Sequence, residues 1–262
     1  MLLIRHETPA DWHAVEALTR RAFWNVHTPG CRDHYLVHCL RQHADFIPEL
    51  DFVLELDGLL IGSILFSRSQ MVDARQRAIP TITFGPVSID PAFQHRGYGS
   101  QLIRHAIEQA RLAGYSAIII FGDPSFYCRF GFKCCKRFGL RTGDGKFSSA
   151  LLVLELNGTL PAGDWTFVES PVFDLDSEQV AAFERQFPPM VAAKPHPRSC
   201  SISSASRRWN NGEARARRLY PVQPTCLAME LMMKKYLLLL FTTLLASTSS
   251  RLAIRVRTPA TA

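Results

Sequence analysis

Hydrophobic and polar positions follow two rhythms along the first 190 residues. Short apolar runs with a period near two read as strands: "LLIR" at the start, "TITFGPVSI" at 81–89, "SAIIIF" at 116–121, "GFKCC" at 131–135 and "ALLVLEL" at 150–156. Residues 50–67, "LDFVLELDGLLIGSILFS", place two such runs around Asp57-Gly58 and read as a hairpin. A helical period governs "TPADWHAVEALTRRAF" at 8–23. Thr8 suits its N-cap, Pro9 its first helical position, and Asp11 a capping-box-like partner. Trp12, Val15, Leu18, Ala22 and Phe23 then fall on one stripe. "DHYLVHCLRQH" is a second, shorter helix, the stretch after Gly97 runs as a helix to Gly114, and "SFYCRF" holds a short one. Strands and helices alternate around a central strand–helix–strand unit, which predicts an α/β fold with a mixed sheet flanked by helices.

The texture changes near residue 190. Residues 1–187 read as one domain and 188–262 as a tail. "KPHPRSCSISSASRRWNNGEARARR" lacks hydrophobic periodicity and predicts disorder. "MMKKYLLLLFTTLLASTSS" has the grammar of a secretory signal at the wrong end of the chain, and its apolar segment, about residues 236–246, is short for a bilayer. A frameshift or a read-through into another coding start accounts for such a tail; a tail anchor is the alternative. Charge follows the same division. The 262 residues carry 30 Lys and Arg and 23 Asp and Glu, of which 12 and 2 lie in 194–262, so the tail carries +10 and the rest −3. Binding to nucleic acid or to an anionic membrane surface would therefore concern the tail alone. Seven cysteines without a C-x-x-C pair, and an N-terminus interrupted by Arg5, His6 and Glu7, point to reduced thiols in a cytoplasmic protein.

The candidate chemistry sits in "VSIDPAFQHRGYGSQLIRHAIEQA", residues 87–110. Gln94-His95-Arg96-Gly97-Tyr98-Gly99-Ser100 stands between a strand and a helix. A helix N-terminus leaves several N–H groups unpartnered and favours an anion, and glycines at 97 and 99 let a diphosphate approach those donors. His95 or Arg96 would add charge at the rim. A tight strand-to-helix turn accounts for the same glycines. The stretch is neither a Walker loop, since no Gly-Lys-Ser/Thr follows, nor a dinucleotide fingerprint, since Leu102 stands where the third glycine would be.

Gln94, Gly97 and Gly99 resemble the Q/R-x-x-G-x-G/A signature of the GNAT N-acetyltransferase superfamily. "FGPVSIDP" is similar to that family's fourth strand, and Tyr127, Gly131 and Phe132 to its Y-x-x-x-G-F segment. The resemblance covers residues 1 to about 187 and implies a splayed mixed sheet, with acetyl-coenzyme A as co-substrate and its diphosphate on residues 94–100. Pro86, which cannot donate to a ladder, belongs at a bulge or an unpaired edge, as that family's splayed strand provides.

The same resemblance makes Tyr127 the proton donor to the departing thiolate, with backbone N–H groups near Val87, Ser88 and Ile89 polarising the acetyl carbonyl. The fourth strand lacks the Glu that some members keep. Asp123 is the best placed carboxylate for a general base; an Asp-Pro turn opening a helix explains it equally. His34 and His38, at i and i+4, have metal-ligand spacing without a third ligand, and a solvated helix face is the expected reading. Cys128 beside Tyr127 lacks a paired His, and the family transfers directly. The expected activity is direct acetyl transfer to a primary amine in a ternary complex; a CoA-binding sensor or scaffold is the alternative. The acceptor should be set by the first two helices and the loops around 24–50 and 68–80. Histidines from His27 to His43 and at the loop entrance would favour an anionic acceptor at low pH.

Overall fold

The computed structural model describes residues 1–158 and 160–194. These belong to one of two compact units, Met1–Ala214; the other, Arg215–Ala262, lies outside the described residues, as do the basic tail from 195 onward and its signal-like segment. The strands are β1 (Leu2–His6), β2 (Phe52–Leu56), β3 (Leu59–Asp73), β4 (Ala78–Ile89), β5 (Ala117–Phe121), β6 (Lys133–Cys134), β7 (Leu140–Arg141), β8 (Leu151–Glu155) and β9 (Trp165–Val168). The helices are α1 (Trp12–Phe23), α2 (Asp33–Leu40), α3 (Tyr98–Leu112), α4 (Pro124–Tyr127) and α5 (Ser177–Glu184). One mixed sheet runs β1-β2-β3-β4-β5-β8-β6, and β9 pairs with β3 beyond the end of β2 and carries β7. The β4–β5 and β7–β9 pairs are parallel and the other ladders antiparallel.

Local chemistry accounts for the element ends. Thr8 and Asp11 form the reciprocal capping box, with a 3-10 turn at Pro9–Asp11 leading into α1. Asp57 (φ 52°) and Gly58 (φ 81°) both take positive φ, the type I′ geometry that matches strand twist in a two-residue hairpin. On α3 the residues Leu102, Ile103, Ala106, Ile107 and Ala110 are buried, a stripe at helical spacing. They pack on Ile64, Phe66, Ile82, Phe84, Ile118 and Ile120, the main core of the sheet. Each buried Leu or Ile there contributes about 2 kcal/mol. The opposite face carries two smaller clusters: Val15, Val37, Val53 and Leu65 under α1 and α2, and Met71, Ile119, Trp165 and Phe167 beside β9.

The structure differs from the pattern reading in four places. Trp12 is 40 % exposed, with the Arg41 guanidinium 5.5 Å over its ring; Glu16, Thr19 and Arg20 are buried on α1 beside Val15 and Leu18. Polar partners explain this, since Arg41 reaches Glu16 at 2.9 Å and Arg20 pairs with Glu184 of α5. Residues 68–80 are the arms and turn of a long β3–β4 hairpin, not a loop. β7, β9 and α5 have no counterpart in the pattern reading. His34 and His38 do not share a solvated face: His34 is fully buried with Nε2 3.1 Å from a Glu184 oxygen, and His38 Nδ1 lies 3.0 Å from Glu16. Phe187 remains packed against His13, His34 and Phe183, and Ala193 N–H still donates to Asn25.

Candidate active site

β4 and β5 share a single ladder position, Ile82 with Ile118, and then part. The register of β3 against β4 shifts here: Ile64 faces Val87 and Phe66 faces Phe84, leaving Gly85 and Pro86 opposite Leu65 as a bulge. Pro86 thus costs the ladder no donor. Further along, Asp90 N–H donates to the Ile61 carbonyl at 2.9 Å. By antiparallel alternation Ser88 also faces β3, and Val87 and Ile89 turn their backbone groups to the opened β5 side. Ser88 does not share that edge: its side chain is buried and donates to Thr19 Oγ1 at 2.9 Å.

The loop beyond β4 ends in a row of open amides. Gly97 is the α3 N-cap in the left-handed region (φ 85°) and has no side chain to cap the helix. Gln101 N–H makes the first bond, to Gly97 O at 3.1 Å, and no N–H from His95 to Ser100 donates to another described residue. His95 also holds a left-handed φ of 60°, and both it and Arg96 are exposed, the Arg96 guanidinium 5.7 Å over Phe93. Gln94 is already engaged, its Nε2 donating to Ile89 O at 3.0 Å, so it ties the loop to the strand. Gly99 differs from Gly97. A Cβ there would meet Ile89 at an ordinary 3.4 Å, so packing does not require glycine, and its bareness leaves the N-terminal amides approachable. Tyr98 and Ser100 are half-buried on the first turn.

Tyr127 ends α4 and packs among Phe84, Phe126 and Phe132 with ring centroids 5.9, 5.0 and 5.7 Å away. Gly122 makes room for it, because a Cβ at that position would lie 2.5 Å from two Tyr127 ring carbons. No described residue bonds its hydroxyl. Burial pushes its pKa up to about 12, with the Asp123 charge adding to the rise. The phenol therefore stays protonated near neutral pH, as a proton donor must. Asp123 caps α4, its Oδ1 accepting from Ser125 N–H at 2.9 Å, so the Asp-Pro turn is its observed job; the exposed carboxylate stands beside Tyr127 all the same. Cys128, next in sequence, is a free, exposed thiol. Among the described residues no three His, Cys, Asp or Glu side chains converge as a metal site, and no helix is long and apolar enough to cross a membrane. A cavity of about 910 Å³ between the α1–α2 connection and α5, lined by Trp24, Cys31, Arg32, Val180 and Phe187, includes none of these candidate residues.

An opened parallel pair, a bulged strand with a free backbone edge and a glycine-started helix define the acyl-CoA acyltransferase class of site. Comparison with known proteins agrees. The model of the acetyltransferase (GNAT) domain matches residues 49–134. The uncharacterized N-acetyltransferase YhbS of Escherichia coli K12 is 32 % identical over 140 residues, which span 53 % of this chain and 78 % of that protein. Among solved structures, a GNAT family acetyltransferase from Brucella melitensis in complex with acetyl-CoA superposes with a TM-score of 0.54 at 29 % identity, covering 66 % of this chain and 99 % of that one. Escherichia coli YhbS in complex with CoA gives 0.56 at 27 % identity, covering 66 % and 92 %. The chain belongs to the GNAT family of N-acetyltransferases.

Two residues escaped the sequence reading. Gly122 carries no motif of its own, and only the Tyr127 ring reveals why it is glycine. Glu169, at the end of β9, is half-buried and burial raises its carboxyl pKa to about 8. Its signal was present in "WTFVE", where Glu takes the same alternate position as the buried Trp165 and Phe167.

Proposed function

We propose that the protein transfers an acetyl group from acetyl-CoA directly to an amine, with the cofactor's diphosphate on the amides of residues 95–100 and its pantetheine arm along Val87 and Ile89. The observation that carries this reading is the continuity of the two features. The unpaired edge of β4 leads through Gln94, which is bonded to Ile89, into the open amides at the start of α3. The acetyl-CoA and CoA present in the two similar structures support it. Arg96 and His95, exposed at the rim, would add positive charge for the phosphates.

In the transfer step the neutral amine nitrogen attacks the thioester carbonyl, whose oxygen is stabilised by backbone N–H on the Val87–Ile89 edge. The C–N bond forms and the C–S bond breaks. The proton lost from nitrogen passes to solvent, with Asp123 the nearest carboxylate to the acid; the thiolate takes its proton from the Tyr127 hydroxyl, and the Tyr127 phenolate regains a proton from solvent to close the cycle. The products are the N-acetyl amine and free CoA thiol. Cys128 has no part in this scheme, because transfer is direct. Release of CoA thiol in proportion to N-acetyl product, by the full chain with a panel of amines, tests the reading. Cofactor binding without any thiol release would favour a CoA-binding sensor, for which the capping role of Asp123 is the supporting observation.

A further inference from the structure

The cavity of about 910 Å³ between the α1–α2 connection and α5 stands away from the acetyl-transfer site. Thr19 meets Ser88 and Arg21 meets Asp90, so α1 advances along β4 in the same direction and carries Trp24 past the end of the strand. The Gly85–Pro86 bulge lies the other way. Five residues of helix, about 7.5 Å, and two of strand, about 7 Å, add to roughly 14 Å between the bulge and Trp24 at the cavity wall. No residue from 87 to 100 lines the cavity, and neither does Asp123 or Tyr127.

Specific bonds hold its walls apart. Asn25 takes a left-handed φ of 59°, and its Oδ1 accepts from Gly30 N–H at 2.8 Å and from Ala193 N–H at 2.9 Å. Its Nδ2 and the Trp24 indole N–H both donate to the Val191 carbonyl, at 3.2 and 2.9 Å. The residues after α5 are thus strapped to the α1–α2 connection, and Met190 and Ala192 of the strap form one edge of the cavity. Trp24, Val180, Phe187 and Met190 make its sides apolar. Its uncompensated charges have one sign. Glu184, the one carboxylate in the lining, is taken by Arg20, whose Nε lies 3.0 Å away. Arg32 and Arg185 also line the cavity, and neither makes an ion pair with a described residue. Arg32 Nη2 donates to the Leu175 carbonyl and Arg185 Nη1 to the Ala181 carbonyl at 3.4 Å, so neutral oxygens are what they hold. Arg32 Nε is buried without any partner. Asp33, next in sequence, faces the Cys31 thiol at 3.9 Å instead.

A half-buried guanidinium with no counter-ion is costly, and a planar carboxylate is the group that matches it best. A concave site of this size with apolar sides and a few polar groups suits a small amphipathic molecule. We propose that the cavity binds an amphipathic carboxylate, its apolar body against Trp24, Val180, Phe187 and Met190 and its anionic head at Arg32, with Arg185 adding positive field. The inference goes beyond acetyl transfer and does not rest on it.

The test is calorimetric titration of the full chain with decanoate and with decanol, each with and without saturating CoA. A charge-assisted contact predicts one decanoate per chain, bound at least tenfold more tightly than decanol and equally well in the presence of CoA. Arg32→Gln should weaken decanoate at least tenfold and leave decanol unchanged. Ala181→Trp, on the exposed surface of α5 in the cavity wall, should abolish binding of both by filling the space, with an unfolding midpoint close to that of the native chain. This second variant decides the matter if Arg32→Gln fails to fold. Equal affinity for decanol, or decanoate binding that survives in either folded variant, overturns the inference; the basic tail from 194 onward would give the latter result. Displacement of decanoate by CoA would put it in the cofactor groove and overturn the inference as well, while leaving the acetyltransferase reading untouched.

Discussion

Gly99→Asp separates folding from cofactor binding. Gly99 is the second residue of α3, its φ lies outside the left-handed region, and a Cβ would touch Ile89 at 3.4 Å, an ordinary contact. Removing a helical glycine and adding an acid to the first turn together stabilise a helix by about 0.5–1 kcal/mol. The apo midpoint should therefore stay level or rise by roughly 1–4 °C. The same carboxylate would stand among the amides that the diphosphate needs. Like charges about 4 Å apart cost about 4 kcal/mol at an effective dielectric of 20, so a loss near 3 kcal/mol, roughly a hundredfold in Kd, is expected. Differential scanning of the native chain with acetyl-CoA at a hundred times its Kd should give a shift of roughly 5–10 °C, from about 2.7 kcal/mol of binding. In Gly99→Asp that shift should vanish at the same concentration. A retained shift would refute the diphosphate assignment, and an apo midpoint several degrees lower would refute the claim that packing does not need this glycine.

The other glycines and the tyrosine make sharper contrasts. Gly97→Ala meets no neighbour but must hold φ 85°, so thermal unfolding should show a loss of about 1–2 kcal/mol before any cofactor is added. Tyr127→Phe removes a hydroxyl without a partner, so calorimetry should find acetyl-CoA affinity and stability nearly unchanged while kcat falls at least tenfold; unchanged kcat would exclude Tyr127 as the acid. Gly122→Ala drives a methyl into the Tyr127 ring and should cost about 1–3 kcal/mol together with turnover, measurable by chemical unfolding and steady-state rates. His34 is held neutral by burial, its pKa lowered to about 4 against the pull of Glu184. Between pH 6.5 and 4 the unfolded chain takes up a proton that the folded chain does not. Stability present above pH 6.5 should thus decline by up to about 3 kcal/mol as pH falls to 4, and His34→Gln should flatten the decline in urea midpoints.

The parts legible in the sequence are those fixed by neighbours in the chain. Thr8, Pro9 and Asp11 act within one turn, Asp57-Gly58 closes its hairpin locally, and Pro86 signals its bulge because a missing donor admits few places in a sheet. Gly97 shows in the same way, since its φ is set where the helix starts. What distant segments decide was not legible. β9 is four residues long and gains its place only by pairing with β3, about ninety-five residues earlier. Arg20 and Glu16 look like surface positions until Glu184 of α5 and Arg41, just past the end of α2, arrive beside them. Ser88, read as part of the cofactor edge, pairs its backbone with β3, and its side chain faces α1 because its neighbours Val87 and Ile89 take the α3 face. The alternation that sets Glu169 on the face of Trp165 and Phe167 was visible in the sequence, but the pairing of β9 with β3 that gives this face its neighbours was not.

Direct transfer at the β4–β5 opening is tested most closely by following both products of one turnover. The full chain is mixed with acetyl-CoA and an accepted amine, and free thiol and N-acetyl amine are quantified together by mass spectrometry. The account predicts equal amounts of the two, initial rates that intersect as a ternary complex requires, and no acetylated protein at Cys128. Thiol released without N-acetyl product, or an acetyl-Cys128 intermediate that appears and decays at the rate of turnover, would contradict it.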